Sequence, residues 1–224
     1  MKINIAIDGP SAAGKSTIAK SLAKQLNYIH LDTGAMYRST AYKAVCSQIS
    51  LEDENALVEM LKNTDITLTP EGKVFLDGED VSSSIRTDQI SLAASSVSRH
   101  PLVRSELVAR QQKMAEKKGF IMDGRDIGTV VLKDAEVKIF MTASAEARAK
   151  RRYEQDKKLG LPTTDVETIA KEIAQRDYQD THRAASPLVK AEDAIEIDTS
   201  DMTIEEVVNA ILVLCEPYLK EEHA

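Results

Sequence analysis

The run Gly9-Pro10-Ser11-Ala12-Ala13-Gly14-Lys15-Ser16, followed by Thr17, constrains this chain more than any other feature. It fits the spacing Gly-x4-Gly-Lys-[Ser/Thr]. It stands between an apolar run, Ile3 to Asp8, and a helix-patterned stretch from about Lys15 to Leu26. Such a loop needs a buried strand before it and a helix after it. The glycines let the backbone turn its N–H groups around a phosphate, and the helix N-terminus adds positive potential. In that frame Lys15 reaches the β/γ-phosphates of a bound nucleotide and the Ser16 hydroxyl ligates Mg²⁺.

Downstream, strands and helices alternate. Tyr28–Asp32, Gly119–Asp123, Val137–Thr142 and Ala194–Asp198 read as further strands. Helices are expected at about Gly34–Ser47, Pro101–Lys118, Ala145–Lys157 and Ile204–Leu219. This alternation predicts an α/β fold with a mostly parallel sheet covered on both faces. One segment breaks the rhythm. Asp65–Val81 (DITLTPEGKVFLDGEDV) alternates apolar and polar residues around Gly72 and Asp77-Gly78, which predicts a small antiparallel insert. Lys158–Thr164 (KLGLPTT) reads as a mobile loop between two helices.

Composition matters mainly for what it excludes. The 224 residues suit one α/β domain with modest insertions, and the net charge of −7 disfavours nucleic acid and anionic membranes as partners. A small anionic substrate stays open if arginines gather locally. Ile3–Ile7 is too short to span a bilayer, so neither a signal peptide nor an anchor is expected. Cys46 and Cys215 have no motif spacing and read as buried thiols of a cytoplasmic protein. His30, His100, His182 and His223 form no metal-binding pair. No Asn is followed by Lys, so the guanine-reading segment of a regulatory GTPase is missing, and the chain is too short for a large motor. A small-molecule kinase remains.

A second set of candidates lies where the other strands end. Open parallel sheets bind ligands at the carboxyl ends of their strands. After the second strand comes Leu31-Asp32-Thr33-Gly34-Ala35-Met36-Tyr37-Arg38, with Thr33 and Tyr37 on one helix face. After the third comes Asp123-Gly124-Arg125-Asp126-Ile127-Gly128-Thr129. Asp123 holds the position from which such proteins orient Mg²⁺, and Arg125 and Asp126 are expected to face the cleft. Arg176, Asp180 and Arg183 are spaced to share one helix face. Spacing alone reads that stripe equally well as functional or as a solvated ion pair worth about 0.3–0.5 kcal/mol. Arg148, Arg151 and Arg152 crowd like charges beside the predicted loop, where a lid over ATP would sit.

Together, IDGPSAAGKST (7–17), LDTGAMYR (31–38), GEDVSSSIRT (78–87), DGRDIGT (123–129) and QRDYQDTHRAASPL (175–188) resemble the bacterial cytidylate kinase family, over nearly the whole chain. The resemblance implies a P-loop nucleoside monophosphate (NMP) kinase-like three-layer sandwich with a five-stranded parallel core at about 1–32, 101–150 and 185–224. An NMP-binding region with the insert would occupy about 33–100 and a short lid about 151–184. It implies ATP on Gly9–Thr17, Mg²⁺ with the ATP near Ser16 and Asp123, and catalytic cations Lys15, Arg125, Arg183 and Arg152. It places the CMP phosphate on Tyr37, Arg38, Arg125 and Arg183. Cytosine falls to Thr33, Ser95, Arg104 and Asp126, and the ribose to Arg176 and Asp180. It also implies a monomer.

Such a reaction would need no general base, because a nucleotide monophosphate is already mostly dianionic at neutral pH. It needs cations and a dry, closed site. Two rivals stand: a kinase for another monophosphate or a shikimate-like metabolite, and a regulatory protein that uses ATP as a switch.

Overall fold

The computed structural model describes residues 2–69, 71–158, 160 and 164–219. Five parallel strands form the central sheet in the order β2-β6-β1-β7-β8. They are β1 (Ile5–Asp8), β2 (Ile29–Asp32), β6 (Phe120–Gly124), β7 (Val137–Thr142) and β8 (Ile195–Asp198). Every neighbouring pair is parallel, with Ile7 opposite both Asp123 and Ile139. The chain runs outward from β1 to β2 and returns through β6 before crossing to β7 and β8. The carboxyl ends of β1 and β6 therefore flank one crevice, where such sheets bind ligands.

The period-two pattern of β1 shows why the sheet is covered twice. Ile5 and Ile7 point into a core shared with Ile18 and Leu22 of α1 (Lys15–Leu26) and Val208 and Ile211 of α8 (Ile204–Leu219). Ala6 points the other way, into a core with Met36 of α2 (Thr33–Cys46) and Leu107 of α5 (Pro101–Ala115). The expected sandwich is present. Cys215 is buried as anticipated, but Cys46 is exposed, because it sits at the last turn of α2 away from the sheet.

The insert is a three-stranded antiparallel sheet of β3 (Ile66–Leu68), β4 (Val74–Leu76) and β5 (Glu79–Asp80). Asp77 (φ 51°) and Gly78 (φ 88°) both take positive φ, the two-residue turn that matches strand twist. Two helices stand where the strand–helix rhythm assigns no element. They are α3 (Glu54–Lys62), capped by Asp53 on the Ala56 N–H, and α4 (Asp88–Val97), capped by Thr87 on the Ile90 N–H. Leu57, Leu61, Ile90 and Val97 carry them and the insert into the same core as α2. The segment expected to act as a lid, about 151–184, falls on α6 (Ala145–Lys158) and α7 (Val166–His182). Between them, most of the stretch read as a mobile loop, residues 159 and 161–163, lies outside the described residues.

Candidate active site

The phosphate loop begins where β1 reaches the sheet edge. Gly9 has φ 150°, and a Cβ there would lie 2.1 Å from the Met141 carbonyl oxygen, so no other residue fits. Ala12 (φ 58°) and Gly14 (φ 91°) bend the loop inward before α1 starts at Lys15. Lys15 Nζ donates to the Pro10 carbonyl at 2.8 Å. Burial, then the nearby Arg125 charge, push its pKa down to about 7, although Asp123, Asp8 and Asp180 pull it up. A cation so poorly satisfied inside its own loop is ready for an anion.

Ser16 Oγ donates to Asp123 Oδ2 at 2.7 Å, and His30 Nε2 lies 2.6 Å from Asp123 Oδ1. A hydroxyl and a carboxylate side by side are hard oxygen donors that suit Mg²⁺. Among the described residues no three His, Cys, Asp or Glu side chains gather to hold a metal. Two such donors leave most positions of an octahedral ion to nucleotide phosphates and water.

A cavity of about 260 Å³ that the loop itself lines from Ser11 to Thr17 is also lined by every residue named above for the acceptor. Asp32 caps α2 on the Ala35 N–H and holds Arg38 Nη2 at 2.8 Å. Burial works against its ionisation, but Arg38 and His30 outweigh that and bring its pKa to about 2. Tyr37 Oη is buried without a hydrogen-bond partner. Burial pushes its pKa up to about 12, so the phenol stays a donor. Arg104, rising from α5, donates to the Ser98 carbonyl at 3.2 Å, pairs with Asp126, and lies 5.3 Å over the Tyr37 ring. Thr33 Oγ1 donates to the Asp123 carbonyl at 2.7 Å, so only its lone pairs remain for the cleft.

The stripe that spacing left undecided lines this cavity, with Asp180 buried and Arg176 and Arg183 half-buried. Arg125 Nε meets Asp180 Oδ2 at 2.7 Å. Burial opposes the Arg125 charge, but Asp180 more than offsets it and raises the pKa. Asp180 is depressed despite burial, through Arg125 and Arg176. Arg176 Nε has no hydrogen-bond partner among the described residues, and burial followed by Arg125 lowers its pKa to about 10. Arg183 is not on the helix face: α7 ends at His182, and Arg183 is its cap at φ −64°, ψ 142°. Its Nε donates to the Ser186 carbonyl at 2.7 Å, while Nη2 has no hydrogen-bond partner among the described residues and lies 3.9 Å from Asp126 Oδ1. Guanidinium and phenol groups with unused donors thus line the cavity beside the phosphate loop, an arrangement that suits an anion.

The lid arginines divide. Arg148 pairs with Asp177 and donates to the Ser11 carbonyl at 3.1 Å, and Arg151 bonds the Thr199 carbonyl. Neither lines the cavity. Arg152 does, held by Asp156 at 2.8 Å and by Asp88 of α4 at 2.9 Å. Ser95 Oγ donates to Gln179 Oε1 at 3.1 Å, a second contact between α4 and the lid. Several polar groups of the lining escaped sequence reasoning. Arg86 stands one residue before the end of the GEDVSSSIRT text, Gln155 and Asp156 lie one turn beyond Arg152, and Asp32, Ser91 and Ser98 line the cavity as well.

A phosphate loop facing an arginine-lined anion pocket across one crevice defines a P-loop kinase of small molecules. The family model described as cytidylate kinase matches residues 5–216. A curated cytidylate kinase from a Geobacillus species is 55% identical over 213 residues, covering 94% of this chain and 95% of that protein. Another, from Bacillus subtilis, is 55% identical over 214 residues with the same two coverages. A solved shikimate kinase from Bacteroides thetaiotaomicron, 14% identical, shares the fold with a TM-score of 0.50 over 96% of this chain and 99% of that one. The chain belongs to the cytidylate kinase family.

Proposed function

We propose that this protein transfers the γ-phosphoryl group of ATP to CMP or dCMP, releasing ADP and CDP or dCDP. The observation that carries this reading is the second anion pocket, with Tyr37, Arg176 and Arg183 holding unused donors beside Lys15. A switch that only bound ATP would have no need of it. In this reading the core takes about 1–32, 101–150 and 185–224, the acceptor region about 33–100 and the lid about 151–184.

Phosphoryl transfer asks chiefly for alignment and charge stabilisation. Gly9 to Thr17 cradle the ATP phosphates, and Lys15 follows the γ-phosphoryl charge. Ser16 and Asp123 would hold the Mg²⁺ that accompanies ATP, whose charge would offset that of the nucleotide phosphates. Arg38, Arg125 and Arg183, with Tyr37, orient the acceptor dianion. Arg152 reaches in from α6 as the lid closes. The acceptor oxygen is already deprotonated, so no residue removes a proton. Arg176 and Asp180 suit the sugar, and Ser95 and Arg104 the base edge.

Base choice follows from the same groups. Thr33 has committed its proton to a carbonyl, and Asp126 is a carboxylate, so both present lone pairs. Cytosine offers an N4 amine to them, whereas uracil offers O4 lone pairs that repel. Sites that would leave buried polar groups unpaired discriminate by about 10²-fold or more.

The test is Mg·ATP-dependent ADP release with CMP, dCMP, UMP, AMP and GMP, each against a control without acceptor. Turnover with CMP and dCMP and little with UMP supports the reading. Equal rates for CMP and UMP remove the base assignment, and ATP binding without acceptor-dependent ADP release removes the kinase.

A further inference from the structure

The turn after β6 carries Arg125 and Asp126, and a carboxylate outside every assignment above holds it in place. Asp8 closes β1 immediately before Gly9 and is only 5% exposed. Its Oδ1 accepts the Ile127 N–H at 2.8 Å, and its Oδ2 accepts the Gly128 N–H at 2.7 Å. These are the first two residues of a wide π turn, Ile127–Val131, whose cap is Asp126 at φ −143°, ψ 27°. The start of a helical turn leaves N–H groups without backbone acceptors. Here one side chain satisfies two of them. From the other side, Val130 and Val131 donate back to the Asp126 carbonyl at 2.9 and 3.2 Å. The fit is close: a Cβ on Gly128 would lie 3.4 Å from Asp8 Oδ2 and 3.2 Å from Lys138 Cδ.

We propose that Asp8 is a positioning residue for the acceptor pocket. By taking the Ile127 and Gly128 N–H groups it fixes the backbone from which Arg125 and Asp126 project, and through them Asp180, Arg104 and Arg183. The inference rests on the cleft being the CMP site. Asp8 does not itself line that cavity. A carboxylate suits the task because it accepts through both oxygens, and its charge strengthens each bond. An amide of the same shape turns an NH₂ toward one of the two N–H donors. Asp8 is also continuous with Gly9, so the same residue ties the acceptor turn to the strand that presents the phosphate loop. Donor and acceptor phosphates are thus referred to one rigid point, and rates of in-line transfer depend steeply on their separation.

The experiment compares wild type with Asp8→Asn for CMP and UMP turnover and for ADP affinity by titration. The expected variant unfolds cooperatively and binds ADP within about twofold of wild type. Its KM for CMP rises about tenfold or more, and its preference for CMP over UMP falls by a similar factor. A folded variant with unchanged KM and preference overturns the role of Asp8, as does an ADP affinity that weakens as much as that for CMP. A second measurement needs no variant. Amide hydrogen exchange of wild-type Ile127 and Gly128 should be as slow as in β6, and exchange at the rate of exposed loops overturns the proposal. A wild type that turns over no CMP removes the reading of the cleft and this inference with it. A wild type that does, matched by its variant, removes only Asp8.

Discussion

Asp180 offers the sharpest perturbation of the arginine cluster. Its carboxylate meets Arg125 Nε at 2.7 Å and lies 3.8 Å from Arg183 Nη1, with a side-chain exposure of 8% against 18% for Arg125. Asp180→Asn keeps the volume and removes the charge, leaving Arg125, Arg176 and Arg183 to repel one another with Asp126, 3.9 Å from Arg183 Nη2, as the nearest remaining carboxylate of Arg183. Breaking a buried pair in this way costs about 3–5 kcal/mol, and the partial exposure of Arg125 puts this case at the low end, about 3 kcal/mol. For a chain of this size each kcal/mol shifts Tm by about 2–4 °C, so the variant should melt roughly 6–12 °C lower near neutral pH. Thermal unfolding with and without millimolar inorganic phosphate provides the assay. Phosphate supplies the missing anion, so the variant should regain more Tm than wild type gains. The pH dependence has a definite sign. Asp180 has a folded pKa below its unfolded one, so its stabilisation is complete above the ordinary carboxylate range. It is lost as pH falls through the folded value, and the two proteins should converge in acid. A fall under about 2 °C, or equal gains in phosphate, would refute the counter-ion reasoning.

Three further outcomes are expected. Lys15→Ala should cut turnover by about 10²–10³-fold while Tm stays within a few degrees, because it removes a buried cation whose one hydrogen bond among the described residues is to its own loop; near-normal rates would contradict its role. Gly9→Ala should abolish measurable ATP binding and lower Tm, since its Cβ would meet the Met141 carbonyl at 2.1 Å; isothermal titration showing wild-type affinity would disprove the clash. In the free protein Lys15 loses its proton near pH 7, against 10.5 unfolded, so between those values this group makes stability rise with pH. Nucleotide phosphates restore the charge, so ADP binding at about pH 7.5 should take up a proton; calorimetry in buffers of different ionisation enthalpy would show no dependence if Lys15 were already charged.

The parts of this molecule legible in the sequence are those where one local rule decides. The phosphate loop declares itself because only glycine survives at position 9, and the strands do because their apolar runs end in Asp8, Asp32 and Asp123. The Asp77-Gly78 turn was readable for the same reason. Helices α3 and α4 were harder, as each is short and half exposed and its apolar face matters only once the insert packs on it. The arginines show the limit most clearly. Arg148 and Arg152 look equivalent along the chain, yet Asp177 binds one at the phosphate loop while the other enters the cavity beside Asp88. Those partners lie on other helices, and helical spacing carries no information about them. Asp8 hid within a familiar motif, since its bonds to Ile127 and Gly128 span more than half the chain.

The central claim is that two phosphate sites face each other for direct transfer. It is tested most directly by incubating the protein with Mg²⁺, γ-³²P-labelled ATP and CMP and locating the label. The account predicts label in the β-position of CDP, formed in step with ADP. Label recovered as inorganic phosphate, or retained in ATP while both nucleotides bind, would contradict it.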